Sequence, residues 1–266
     1  VEMRAEAGSG FSLEKIRASL ASAPKPPKAL FLCQGESSTG VMQPLEGVGD
    51  ACRDAGALLI VDTVCSLGGV PFYADALKVD VMYSGAQKCL SAPPGASPFF
   101  MSEAAMEVLQ KRTTPLRTYN ADMKLIGDYW GWFGSRSYHH TAPVSNFYSL
   151  REAIAITNEE GVEALWKRHR DMHNMLWDGL ADMGLEPFVE DDTYRLYTVN
   201  TIKVPEHIDW KKLVDFAMNT RSIEIAGGLG PTAGKIWRVG IMGYNARPQN
   251  IAMTLEAFRE GLKVSG

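Results

Sequence analysis

Three short apolar stretches in this sequence each lead into side chains that can do chemistry. Ala29 to Cys33 is followed by Glu36, Ser37, Ser38 and Thr39. Ala57 to Asp62 ends on an acid and continues into Thr63 and Val64. Val79 to Ser84 leads to Gln87 and Lys88. Taken alone, a lysine after such a stretch reads as a solvated surface residue. Beside a carboxylate and a cluster of hydroxyls, with neither a G-x-G-x-x-G nor a Walker-type loop, it fits an imine-forming amine. Such an amine works with a pyridine cofactor whose ring nitrogen needs an acid to stay protonated. An Asp62–pyridinium pair at about 4 Å is worth about 4 kcal/mol at an effective dielectric of ~20, enough to hold that proton. The role suits Asp and not Asn.

These residues can meet only if the elements around them bring them together. The three stretches are continuous apolar runs, as strands covered on both faces would be, and helical stripes separate them: Leu45, Val48, Gly49 and Cys52, closed by Gly56, lie between the first two. Strand, helix, strand with crossovers of this length predicts an α/β domain with a mostly parallel sheet sandwiched by helices. Its ligand site then lies beyond the carboxyl ends of the strands, where the residues named above collect. Ser97 to Ser102 reads as another strand and Glu103 to Arg112 as a helix. A less regular aromatic stretch with Tyr119, Tyr129, Trp130, Trp132, Phe133 and Tyr138 leads to His139-His140-Thr141. A long helical period from Ser145 to Met183 bends at Gly161 and ends at Gly184. Beyond it strand, helix, strand, strand, helix predicts a small C-terminal α+β domain. We divide the chain into 1–160, the cofactor-binding part of a larger domain, and 161–266.

Seven segments carry a resemblance to a known family: Gly35-Glu36-Ser37-Ser38-Thr39-Gly40, Ile60-Val61-Asp62, Tyr83-Ser84-Gly85-Ala86-Gln87-Lys88, Ala92-Pro93-Pro94-Gly95, Tyr138-His139-His140-Thr141, Gly227-Gly228-Leu229-Gly230-Pro231 and Arg238-Val239-Gly240. Together they resemble the alanine–glyoxylate and serine–pyruvate aminotransferases, class V enzymes of fold type I that use pyridoxal 5'-phosphate. The resemblance implies that Lys88 tethers the cofactor aldehyde and serves as general base, and that Asp62 binds the pyridine nitrogen. Val64 would pack on the ring, Ser37 would bond near its phenolic oxygen and Gln87 would reach the phosphate. Tyr138 and Thr141 would reach the partner subunit's cofactor phosphate in a homodimer with shared sites. Arg238 would take the substrate carboxylate, where a planar fork makes two charge-assisted bonds that lysine cannot. The implied reaction moves an amino group from alanine or serine to glyoxylate, giving pyruvate or hydroxypyruvate plus glycine. A 3-hydroxykynurenine transaminase and a non-catalytic partial chain are the alternatives.

The resemblance begins partway through the family's large domain. The chain starts at Val1, and no residue here matches the family's phosphate-cradling loop or its ring-stacking aromatic. We therefore expect these 266 residues alone to be unstable or catalytically poor. Other features weigh less. His169 and His173 stand four apart on a helix, but Arg168, Arg170 and Asp171 surround them and no third ligand is in view, so we read a solvated helix face and no metal site. Cys33, Cys52, Cys65 and Cys89 read as packed free thiols, Cys89 included despite its place beside Lys88. With 27 Lys and Arg against 31 Asp and Glu and no like-charge block, nothing points to nucleic acid. No stretch has the length of a membrane span. We expect an intracellular protein, with peroxisome favoured by the resemblance over mitochondrion or cytoplasm, although Lys263-Val264-Ser265-Gly266 is not an S-K-L address.

Overall fold

The computed structural model describes residues 1–134 and 136–266. Ser12, whose side chain accepts from the Lys15 amide, starts α1 (Leu13–Ala21), and the prolines that follow stop it. The chain then runs through β1 (Ala29–Cys33), a small hairpin of β2 (Gly35–Glu36) and β3 (Val41–Met42), α2 (Val48–Asp54), β4 (Leu58–Asp62), β5 (Val81–Tyr83) and β6 (Phe99–Met101). The main sheet has the order β1-β4-β5-β6. β1 and β5 run parallel to β4, so Cys33 lies beside Asp62 and Asp62 beside Tyr83. This register brings the three strand ends to one rim. Ile16, Leu45, Val48, Cys52, Leu59 and Val61 form the core beneath it.

The rest comprises α3 (Glu103–Lys111), α4 (Met123–Trp130), α5 (Val144–Glu160), α6 (Val162–Ala181), β7 (Val199–Lys203), α7 (Trp210–Arg221), β8 (Ala226–Gly227), β9 (Ile236–Gly240) and α8 (Pro248–Ser265). β7, β9 and β8 make an antiparallel sheet, and α6, α7 and α8 pack with it around Trp237 and Phe258. This sheet docks on the first one's rim through polar anchors. The Thr198 hydroxyl donates to the Cys65 carbonyl at 2.6 Å, and the Thr201 hydroxyl donates to the Thr39 carbonyl at 2.7 Å. Gly40, at φ +73°, sits so close to Thr201 and the Val199 carbonyl that a side chain would strike them.

The main sheet is mostly parallel as expected, with β6 antiparallel to β5. Other expectations need correction. Among the described residues β1 is an edge strand whose outward Phe31 is 56% exposed, its ring stacked with that of Tyr83. The aromatic stretch contains a true helix, α4, capped by the Asp122 carboxylate and closed by Gly131 in the left-handed conformation. The turn-prone 34–40 stretch forms the first strand and the turn of the β2–β3 hairpin. The strand expected from Tyr194 starts only at Val199, after a single helical turn at Asp192–Tyr194, and β8 is only two residues long.

His169 and His173 are not on a solvated face; they are 0% and 7% exposed. The 3.6-residue period sets them on the stripe of Leu165, Met172, Leu176 and Leu180, which faces the core, while Lys167 and Asp171 pair with each other in solvent. His173 Nδ1 meets the Asn200 Oδ1 at 2.6 Å, and Asn200 Oδ1 also accepts from the Trp177 indole at 2.8 Å. Burial holds the His173 imidazole down to about 4, against the Asn200 bond that favours its charged form. The unfolded chain therefore binds the proton first as pH falls below the ordinary value of 6.5, and the folded state loses stability down to about 4. We predict a loss of about 3 kcal/mol from this group between pH 7 and 4, read by denaturant unfolding at each pH. His173→Gln should flatten that part of the profile, and an unchanged slope would refute it.

Candidate active site

Asp62 is the last residue of β4, and its carboxylate is held from two sides. Oδ1 accepts the Val64 amide at 2.8 Å and Oδ2 accepts the Tyr83 phenol at 2.6 Å. The first bond is a local turn in which an aspartate caps the backbone two residues on. The second follows from the β4–β5 register, which sets Tyr83 opposite Asp62. Burial and then the Asp62 carboxylate push the Tyr83 phenol well above its ordinary range, so it remains a donor.

Lys88 lies five residues beyond Tyr83, on a turn at the next strand's end, half-buried. Cys65, next to Val64, is 4% exposed, and burial raises its thiol pKa, while the Lys88 ammonium and the Ser37 hydroxyl pull it down and the Asp62 and Glu36 carboxylates push it up again. Burial also pushes the Cys33 and Cys89 thiols to about 12, so both are protonated packing groups at neutral pH, although Cys33 keeps partial exposure. Val64 is half-buried, and its Cγ1 faces Gly85, as does the exposed Gln87 side chain; a Cβ at Gly85 would press on both. Val64 and Gly85 thus form a small apolar floor next to Asp62, whose carboxylate holds the Val64 amide.

Arg238 reaches the same rim from β9. Its Nε donates to the Gly227 carbonyl at 2.7 Å and one Nη1 hydrogen to the Ser37 carbonyl at 2.9 Å. β9 lies between β7 and β8, with Thr201 and Ala226 beside Arg238, so the guanidinium leaves a rigid strand. The remaining Nη1 and Nη2 hydrogens have no partner among the described residues and form the edge that matches a carboxylate.

The structure thus brings Ser37, Asp62, Val64, Gln87, Lys88 and Arg238 to one rim. It does not bring Tyr138 and Thr141 there: they hydrogen-bond each other at 2.7 Å, Tyr138 is 70% exposed, and no hydrogen bond ties either to the rim among the described residues. Sequence reasoning missed Tyr83 and Cys65 as parts of the site. The signal for Tyr83 was in the strand alignment, since a tyrosine opposite a strand-end aspartate has its hydroxyl within reach. The set of a carboxylate acceptor, an amine, a hydroxyl and an apolar floor fits a protonated pyridine with an aldehyde arm. No cluster of three or more potential metal ligands occurs among the described residues, and none of their helices is long and apolar enough to cross a membrane.

Comparison with known proteins places the chain in a family. The family described as aminotransferase class-V matches residues 4–248. An alanine–glyoxylate aminotransferase of Callithrix jacchus is 43% identical over 98% of this chain, which spans 63% of that relative's length. The crystal structure of an alanine–glyoxylate aminotransferase from Nostoc sp. superposes with a TM-score of 0.90 at 46% identity, over 96% of this chain and 66% of that one. That of a ureidoglycine–glyoxylate aminotransferase from Bacillus subtilis superposes at 0.92 with 34% identity, over 99% of this chain and 67% of that one. The fold is that of the fold type I aminotransferases, in part relative to these longer chains. The chain belongs to the class-V aminotransferases, a family that uses pyridoxal phosphate, as a homologue of the alanine–glyoxylate enzymes.

Proposed function

We propose that this chain carries the amino-transfer site of a pyridoxal-phosphate enzyme that moves an amino group from alanine or serine to glyoxylate. The observation that carries this reading is the placement of Asp62 at the end of β4 beside Tyr83, with Lys88 on the turn that follows β5 and Arg238 anchored on the Ser37 carbonyl. Pyridoxal phosphate, when bound, supplies the electron sink for breaking the bond between the donor's α-carbon and its hydrogen. The chain's own residues do the rest. Asp62, fixed by Val64 and Tyr83, holds the proton at the pyridine nitrogen. Lys88 would hold the cofactor by its aldehyde carbon, and its neutral amine is the base for the donor's α-proton. Arg238 would orient the carboxylate shared by amino and oxo acids, and Val64, Ser37 and Gln87 would help hold the cofactor, Val64 by packing and Ser37 and Gln87 by hydrogen bonds.

Tyr138 and Thr141 then serve a second copy. Their exposure, with that of Trp130, Val144, Phe147 and Tyr148, leaves an apolar and polar-tipped strap that a homodimer would cover.

Glycine formation from glyoxylate, measured with alanine, serine and 3-hydroxykynurenine as donors, tests the reaction. Run on the enzyme extended to the full length of its relatives, activity with alanine or serine supports it, and activity with 3-hydroxykynurenine alone, or with none of the donors, overturns it. Arg238→Lys should raise KM for donor and glyoxylate together by roughly tenfold to a hundredfold with kcat nearly kept, because a lysine replaces a fork by a point charge. A change in KM for only one substrate would remove Arg238 from the shared carboxylate.

A further inference from the structure

His169 is fully buried in α6, far along the sequence from the rim, yet it begins a run of hydrogen bonds that ends at Lys88. Its Nδ1 lies 2.8 Å from the Leu165 carbonyl, which can only accept, so Nδ1 carries the proton and Nε2 is the acceptor. Nε2 accepts the Gly243 amide at 2.9 Å. The adjoining Tyr244 amide donates to Ser91 Oγ at 2.9 Å, and the Ser91 amide donates to the Lys88 carbonyl at 3.0 Å.

The neighbours leave this run little slack. Gly243, at φ +55°, lies so tightly on Ser91 Oγ and the Cys89 carbonyl that a side chain could not be added. Ser91 holds a left-handed φ of +60°, unusual for a residue with a side chain. Arg168, gripped in two bonds by Glu160, donates to the carbonyls of Gly243 and Ala246 at 2.8 Å each. The 243–246 turn also follows β9, so the same fastening reaches the strand that carries Arg238.

We propose that His169 is a positioning residue for Lys88. As a neutral imidazole it seats the 243–246 turn against the 88–91 turn and so fixes the backbone from which the amine projects. The catalytic part of this inference rests on the function proposed above; the mechanical part does not.

Amide exchange of the full chain without cofactor tests the mechanical part. His169→Asn keeps a donor toward Leu165 but cannot reach Gly243, whereas His169→Gln sets an acceptor where Nε2 stands. We expect the Asn variant to speed exchange by about tenfold in 243–246 and, in step, at the Ser91 and Ala92 amides. The Gln variant should restore both segments to within about twofold of the parent. Ser91→Ala, a change at an exposed position, should loosen the 88–91 turn while the Gly243 amide stays protected. In the loaded enzyme the Asn variant should lose about tenfold in kcat with donor KM little changed, and Gln should recover it. Loosening of 243–246 with 88–91 left protected, identical behaviour of Asn and Gln, or an unaltered 88–91 turn in Ser91→Ala would each overturn the proposal. The exchange readout needs no turnover, so failure of the aminotransferase reading and failure of this one are separate results.

Discussion

Lys88→Arg is expected to lower kcat for glycine formation by about 10³-fold or more while leaving the fold intact. The substitution keeps a long stem and a positive charge at a half-buried position, so packing around Cys65 and the Asp62 carboxylate changes little. What it removes is the ability to shed a proton. Arginine stays charged in proteins, so it can neither form the covalent tether nor accept the substrate's α-proton. The measurement pairs a steady-state assay with a circular-dichroism melt of both proteins. A variant with unchanged melting and kcat within tenfold of the parent would take Lys88 out of the chemistry. A collapsed melt would be the sign of a packing role instead.

The second large effect is expected at Asp62. Asn there keeps an oxygen for the Val64 amide and lets the Tyr83 hydroxyl stay close, so geometry survives and charge does not. A carboxylate facing a protonated ring at about 4 Å is worth about 4 kcal/mol at an effective dielectric of ~20. Losing it should reduce kcat by about 10²- to 10³-fold. A second signature comes from Tyr83. Its phenol is held high by burial and by Asp62 together, so in Asp62→Asn it should titrate at lower pH than in the parent. Ultraviolet titration of the phenol reads this without any cofactor. A kcat within a factor of a few of the parent, with the phenol shifted as expected, would show that the acid tunes Tyr83 but not the reaction.

Much of this site was legible before any coordinates because its parts lie where simple patterns are strongest. β1, β4 and β5 are short apolar runs ended by polar residues, and the rule that ligands gather beyond the carboxyl ends of parallel strands put Ser37, Asp62 and Lys88 together. What escaped the sequence depended on partners distant in the chain. The direction of the three-residue β6 leaves no trace in its composition. α4 has only eight residues, rich in aromatics, and its caps Asp122 and Gly131 stand out only once the helix between them is known. The charged neighbours of His169 and His173 suggested solvent, but residues adjacent in a helix face different ways, and the decisive relation was to Leu165 and Leu176 a turn or more away. Tyr83 needed the strand pairing to reveal what it touches.

Because Asp62 and Tyr83 are direct neighbours in the β4–β5 ladder, and Lys88 follows Tyr83 on a tight turn, the span between acid and amine is measured out by sheet spacing. Adjacent strands stand about 4.8 Å apart whatever their side chains. Such a ruler frees the surrounding loops from metric duty. Loop changes that spare the Ser37 and Gly227 carbonyls, which hold Arg238, would leave that gauge as it is.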